Sequence, residues 1–197
     1  MPNIFVAAQP NLPMLEVRVL ALAGLIELRP RRFADDRGFF SETWNAERFA
    51  EAGIDTAFVQ DNHSLSRMAG TLRGLHFQAP PFAQAKLVRV VRGSAFDVAV
   101  DLRPASPTFR RWEGVTLSAA KWNQLFIPEG FAHGFLTLEA ETEVQYKAST
   151  GHNPIADRAI RFDDPAIGID WPMAADRLVL SDRDRAAPLL ADIETGF

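Results

Sequence analysis

Lys86-Leu-Val-Arg-Val-Val91, Arg92-Gly93-Ser94 and Ala95-Phe-Asp-Val-Ala-Val-Asp-Leu102 form the stretch that decides the fold class. Phe96, Val98 and Val100 fall on one side of an extended chain and Asp97, Ala99 and Asp101 on the other, the period of two that a strand produces. Gly93 between the two runs predicts a hairpin. Outward from it, turn signals recur at Arg37-Gly38, Ala69-Gly70, Ala79-Pro80-Pro81, Pro104 to Pro107, Pro128 to Gly130 and Asn153-Pro154, with β-branched and aromatic runs between them. Many short strands at even spacing predict an all-β protein, a sandwich or barrel of the jelly-roll type with a few short helices. The clearest helical segment is Ala46 to Ala52, with Asn45 as N-cap and Gly53 as stop. Leu12 to Leu28 is apolar but carries Glu16, Arg18 and Glu27, too many charges for a membrane span of about 20 residues. It reads as a strand pair or a leader joined to the first strand, and no basic segment precedes it to make a signal peptide.

The 197 residues, 47% hydrophobic and 23% charged, suffice for one substantial core, and the expectation is a single domain. With 21 basic against 25 acidic side chains the net charge is −4, so no global positive field draws nucleic acid or anionic membrane. A phosphate-bearing ligand therefore needs a local basic pocket. Cysteine is absent, which excludes disulfides, thiolate nucleophiles and cysteine-type zinc sites and fits a cytoplasmic location.

Gly70-Thr-Leu-Arg-Gly-Leu-His76-Phe-Gln78, followed by Lys86 and Gly93, resembles the first motif of the cupin barrels, and Pro128-Glu-Gly130-Phe-Ala-His133 resembles the second. Metal-binding cupins place two histidines two residues apart in the first motif and a glutamate six residues before its closing glycine. Here Gln78 stands for the second histidine, and Lys86 puts a cation where a metal needs an anion. The expectation is no metal. Strand alternation turns Gly74, His76 and Gln78 to one face and Lys86, Val88 and Val90 to one face of their own strand. A lone histidine is ordinarily a satisfied core residue. Tyr146 is the only tyrosine beside 15 phenylalanines, so a hydroxyl kept there hints at a use for it, against the plainer reading of a wall aromatic with its hydroxyl at the rim.

Seven segments together extend the resemblance: Asp36 to Glu42, Phe58 to Asn62, Arg73 to Gln78, Lys86 to Val91, Asp97 to Arg103, Ile127 to Phe135 and Leu180 to Asp184. In this order they resemble the dTDP-4-dehydrorhamnose 3,5-epimerase family from about Leu25 onward. The chain then reads as one cupin-like epimerase domain over 1–197, with 1–24 an N-terminal extension or first strand. The resemblance implies His76 as base, Asp184 as its partner, Lys86 beside the ketone oxygen and Tyr146 as acid on the opposite sugar face. It implies that Arg37, Glu42, Gln60, Asn62, Arg73, His133, Asp157 and Arg183 hold the nucleotide sugar, with Asp97 a partner of His133. Arg37, Arg73 and Arg183 would meet the diphosphate and Phe39 or another aromatic the thymine, with no cofactor. For Arg73 to share a face with His76, the strand must bulge or twist near Gly74. Arg103 reads better as a salt-bridge partner.

The resemblance also implies a homodimer paired through sheet edges, with Arg37 and Glu42 reaching the partner's pocket. The chain departs from the family at Arg183, where a lysine is usual, and at Gly151-His152, where two tyrosines are common; residues 1–12 have no counterpart. Epimerisation beside a ketone needs a base, an enolate stabiliser and an opposite-face acid, and each has a candidate. The alternatives are an epimerase acting at C3 or C5 alone, a non-catalytic sugar-binding cupin, and a metal-dependent dioxygenase, which Gln78 and Lys86 oppose.

Overall fold

The computed structural model describes residues 13–197; residues 1–12 lie outside the described residues. The chain forms β1 (Leu15–Val19), β2 (Ile26–Pro30), β3 (Phe33–Asp35), β4 (Gly38–Phe40), α1 (Ala46–Glu51), β5 (Gln60–Ser66), β6 (Leu72–Gln78), β7 (Lys86–Arg92), β8 (Ser94–Asp101) and β9 (Trp112–Ser118). There follow β10 (Gln124–Ile127), β11 (Phe131–Thr137), β12 (Thr142–Ala148), β13 (Asp157–Ala159) and α2 (Asp182–Arg185). One sheet runs β1-β2-β10-β7-β12-β5 and the other β13-β6-β11-β8-β9, antiparallel throughout. This is the jelly-roll architecture expected of the strand rhythm. Among the described residues, no helix is long and apolar enough to cross a membrane.

The second sheet is covered on both sides over β8 and β11, which is why these strands are apolar almost continuously, while the first is covered on its outer side over β2, β10 and Leu87. Between them lies an apolar core of Val88, Val90, Leu125, Ile127 and Val144 from the first sheet and Ala95, Ala99, Leu117 and Phe135 from the second. On the outer face of the second sheet Val98 and Val100 meet Ile160, Ile167 and Leu190 from the C-terminal third. On the outer face of the first sheet Ile26, Leu28, Leu87 and Phe126 meet Phe49 and Ile54 around α1. Each such fully buried aliphatic side chain contributes about 1.5–3 kcal/mol by leaving water. α1 starts as the sequence predicts: the Asn45 side chain accepts the Arg48 N–H at 3.1 Å. It stops one residue early, at Glu51, with the Gly53 N–H returning to the Ala50 carbonyl at 2.9 Å. The expected strand pair forms but runs past Leu28, since β1 pairs with β2 from Leu15 opposite Pro30 to Val19 opposite Ile26.

The expected hairpin about Gly93 does not form. β7 pairs with β10 and β12, and β8 with β11 and β9, so the chain crosses from one sheet to the other at Gly93. Alternation specifies which side chains point inward, not which strand lies alongside. The faces of β8 therefore lie as alternation predicts, while its partners are β11 and β9 rather than β7. A paired hairpin also needs a reversal within one sheet, and Gly93 instead takes φ +74° at a point where a Cβ would collide with Thr142.

The core is apolar toward one end of the barrel and polar toward the other. The bulge needed to turn Arg73 inward is present: His133 pairs with His76 and Phe135 with Arg73, two steps on β11 against three on β6.

Candidate active site

At the polar end a cavity of about 380 Å³ opens between the sheets. His76 on β6 enters it half-buried, with Nε2 2.6 Å from Asp184 Oδ1. With that N–H donated to the carboxylate, Nδ1 carries the lone pair. Asp184 is delivered by α2, whose N-cap Ser181 accepts the Asp184 N–H at 3.1 Å and donates its hydroxyl to Oδ2 at 2.7 Å. Burial pushes the Asp184 carboxyl up, but the hydrogen bonds from His76 and Ser181 outweigh it and hold the group below the usual aspartate value.

Directly opposite His76 across the strand pair stands His133, whose Nε2 lies 3.0 Å from both Asp97 oxygens. This second pair is enclosed, with the side chains 6% and 1% exposed. Burial lowers the His133 pKa against the opposing pull of Asp97, so the ring is neutral and donates to the carboxylate. Lys86 lines the same cavity, and burial lowers its pKa to about 8 while Asp97 and Asp157 pull the other way. Its Nζ lies 5.9 Å from the centre of the Tyr146 ring. Burial raises the Tyr146 pKa, so its phenol keeps its proton and can donate it.

Arg73, Asp157 and Arg183 also line the cavity. Arg183 Nη2 binds Asp157 Oδ2 at 2.7 Å, and Arg73 donates to Ser66 Oγ at 3.4 Å and the Leu65 carbonyl at 3.3 Å. Arginine in place of lysine at 183 thus keeps a cation at the rim. Gln60 and Asn62 stand on β5 beside this wall. Gln60 accepts the His152 N–H at 3.0 Å and donates to Asn62 Oδ1 at 2.9 Å. Asn62 lines a second cavity of about 350 Å³, which shares Tyr146 with the first.

Arg37 and Glu42 are not brought to this cavity in their own chain. Arg37 is at the exposed tip of the β3–β4 hairpin, bound to Asp35 at 2.6 Å, and Glu42 binds Arg48 at 2.8 Å. Phe39 on the same hairpin lies edge-on to Trp122, with ring centres 4.8 Å apart. Arg103 is a structural cation, as expected, bound to buried Asp101 at 2.8 Å.

Four polar groups of the cavity wall, Ser181, Ser64, His152 and Gln84, stand outside the sequence expectations. Ser181 was legible as an N-cap, a serine three residues before Asp184. Ser64 follows Gln60 and Asn62 at the strand period. His152, one of the two residues that stand where the family commonly has tyrosines, lines the cavity. Gln78 is engaged by the backbone, donating to the Phe82 carbonyl at 2.7 Å and accepting the Asn153 N–H at 2.7 Å. With that amide spoken for and a buried ammonium nearby, these residues do not suit a divalent cation. Among the described residues no three histidine, aspartate or glutamate side chains group as metal ligands.

Fold and cavity define the class: a cupin-like β-barrel with titratable side chains turned into its mouth. Comparison with known proteins narrows it. The model of the family described as dTDP-4-dehydrorhamnose 3,5-epimerase matches residues 19–192. The dTDP-4-dehydrorhamnose 3,5-epimerase of Sinorhizobium fredii is 48% identical over 178 residues, covering 90% of this chain and 91% of that one. The crystal structure of the Bacillus anthracis dTDP-4-dehydrorhamnose 3,5-epimerase with TDP and PPi bound superposes with a TM-score of 0.86 at 45% identity, covering 89% of this chain and 99% of that one. The Legionella pneumophila dTDP-6-deoxy-D-glucose-3,5-epimerase, in complex with dTDP-4-keto-L-rhamnose, gives 0.87 at 43%, covering 91% and 95%. The chain belongs to the dTDP-4-dehydrorhamnose 3,5-epimerase family, a family of isomerases.

Proposed function

We propose that this chain inverts C3 and C5 of a dTDP-4-keto-6-deoxyhexose, converting dTDP-4-dehydro-6-deoxyglucose to dTDP-4-dehydrorhamnose. The observation that carries the reading is the His76 and Asp184 pair, 2.6 Å apart, sharing one cavity with Lys86 and Tyr146. His76 Nδ1 takes the proton from a carbon beside the ketone, and the C–H electron pair moves into the ring to form the enolate. Asp184 stabilises the imidazolium, and the Lys86 ammonium neutralises charge on the C4 oxygen. Tyr146 returns a proton to the opposite face of that carbon, the ketone re-forms, and solvent resets both groups. Nothing is oxidised or reduced, and the Lys86 cation does the work a metal would do elsewhere.

Arg73 and Arg183 meet the diphosphate, while Gln60, Asn62, His133 and Asp157 position the sugar and nucleoside. The working form is a cytoplasmic homodimer in which Arg37 and Glu42 enter the partner's cavity, a role their distance from their own cavity favours. Residues 1–197 act as one catalytic domain, without nucleic acid or membrane as partner. The test is NMR of the product formed in deuterium oxide from dTDP-4-keto-6-deoxyglucose. Label at both C3 and C5 is expected; label at one carbon alone would reassign the chain to a single-carbon epimerase, and no label would refute the reading.

A further inference from the structure

Two polar side-chain atoms among the described residues are buried with no hydrogen-bond partner from the protein, Asn62 Nδ2 and Ser64 Oγ, and they are neighbours on the inward side of β5. Buried polar groups are nearly always paired, because an unmade bond in the interior is costly, so an unpaired hydroxyl on a residue that lines a cavity gains a bond by turning about its Cα–Cβ bond toward a ligand there. Asn62 already has a role in the reading above. Ser64 has none, and it lines the cavity with His76, Lys86 and Tyr146.

Position gives the ligand group. In the β5–β12 pair Asn62 stands opposite Tyr146 and Ser64 opposite Val144, which makes Ser64 the diagonal neighbour of Tyr146 on one face. β7, carrying Lys86, lies on the other side of β12. Lys86 and Ser64 therefore flank Tyr146 along a diagonal across the sheet. A hexose ring lying over Tyr146 with its C4 oxygen at Lys86 presents C1 and the two ring atoms beside it, C2 and the ring oxygen, toward Ser64. Of those three positions only C2 bears a free hydroxyl, because C1 carries the diphosphate and the ring oxygen is an ether that can accept but not donate.

We infer that Ser64 binds the C2 hydroxyl of the sugar, selecting nucleotide sugars that carry one. This rests on the proposal that the cavity takes a nucleotide-linked 4-keto hexose. A serine hydroxyl both donates and accepts, as a sugar hydroxyl does, and the hydroxyl has no protein contact to give up on binding.

The experiment is a double-mutant cycle read by calorimetric binding of two unreactive ligands, dTDP-glucose and dTDP-2-deoxyglucose, to the wild-type chain and to Ser64→Ala. Wild type should prefer dTDP-glucose about tenfold, the worth of one such hydrogen bond, and Ser64→Ala should bind both equally. dTDP alone should bind both proteins with the same affinity. The thermal midpoint of Ser64→Ala should match or exceed that of wild type, since no protein bond is lost. With dTDP-4-keto-6-deoxyglucose the variant should show a raised KM and a kcat within about twofold, the pattern of a binding contact rather than a reacting group. A tenfold preference retained in Ser64→Ala, or an equal loss of affinity for dTDP alone, overturns the inference. Because the binding cycle uses sugars without a ketone, it stands or falls separately from the deuterium test of epimerisation.

Discussion

His76 and His133 are cross-strand partners, and each ring contacts a buried aspartate. Only the setting differs. Asp97 reaches His133 from the neighbouring strand of the same sheet, and both are sealed from solvent. Asp184 comes from the separate helix α2, and the His76 side chain is left 30% exposed to the cavity. A histidine and aspartate pair is thus no signature of a base by itself. Nearly sealed, as at His133, the pair ties two strands together and leaves little of the ring to a ligand; with the ring part-exposed and one nitrogen free toward the cavity, as at His76, it can accept a proton from a ligand.

The sharpest break of that comparison is His76→Asn, expected to lower turnover by about 10² to 10⁴ with near-native folding, the usual worth of a positioned acid–base group. Persistent exchange of substrate hydrogen with solvent in that variant would remove His76 from the role. Tyr146→Phe keeps the ring and deletes the phenol, so deuterium washout should continue while inversion nearly stops. A parallel fall of washout and inversion would mean that Tyr146 acts in abstraction itself. Asp184→Asn should lose less than His76→Asn and lose it in kcat rather than KM, because an orienting residue costs less than the group it orients; an unchanged rate would return attention to Asp97.

Lys86 supplies a pH test. Its ammonium loses its proton as pH rises through about 8, so kcat/KM should fall above that pH. In Lys86→Arg the charge persists and the alkaline fall should move upward; an unmoved fall would assign it to another group. The smallest effect belongs to the enclosed pair. Asp97→Ala leaves the His133 N–H without its acceptor, a loss of about 1–3 kcal/mol, or several degrees in thermal midpoint for a chain of this size. His76→Asn should shift the midpoint less, since Asp184 keeps its bonds to Ser181. The opposite ranking in differential scanning calorimetry would undo the contrast between tie and base.

What the sequence disclosed depended on how local each signal was. The Asn45 cap and the inward and outward faces of β8 rest on spacings of two to four residues and form as expected, and the expected strand pair forms with its second strand running past Leu28 to Pro30. Pairing is decided by distant chain, so the hairpin at Gly93 was misassigned although every face in it was right. The site divides the same way. His76 and Lys86 could be placed on faces by alternation, but Asp184 lies 108 positions from His76 and reaches it on another element. No periodicity links them, and only the family resemblance joined the two. Arg37 and Glu42 came by the same route, and their own chain does not carry them to the cavity.

The crossing at Gly93 has a consequence for how the chain is made. β7 leaves the ribosome well before any of its partners, Gln124–Ile127 and Thr142–Ala148. Until they arrive, the valine-rich run from Leu87 to Val91 has no edge of its own to close against, and topologies dominated by such distant pairings fold slowly. A strand of that composition waiting unpaired is a hazard for self-association between nascent chains. Lys86, Arg89 and Arg92 break the run at spacings of three, and like charges at those intervals oppose stacking of one copy on another. Arg89 later hydrogen-bonds Gln145 on β12 at 2.7 Å, so the charge that guards the nascent strand also helps fix it beside its neighbour.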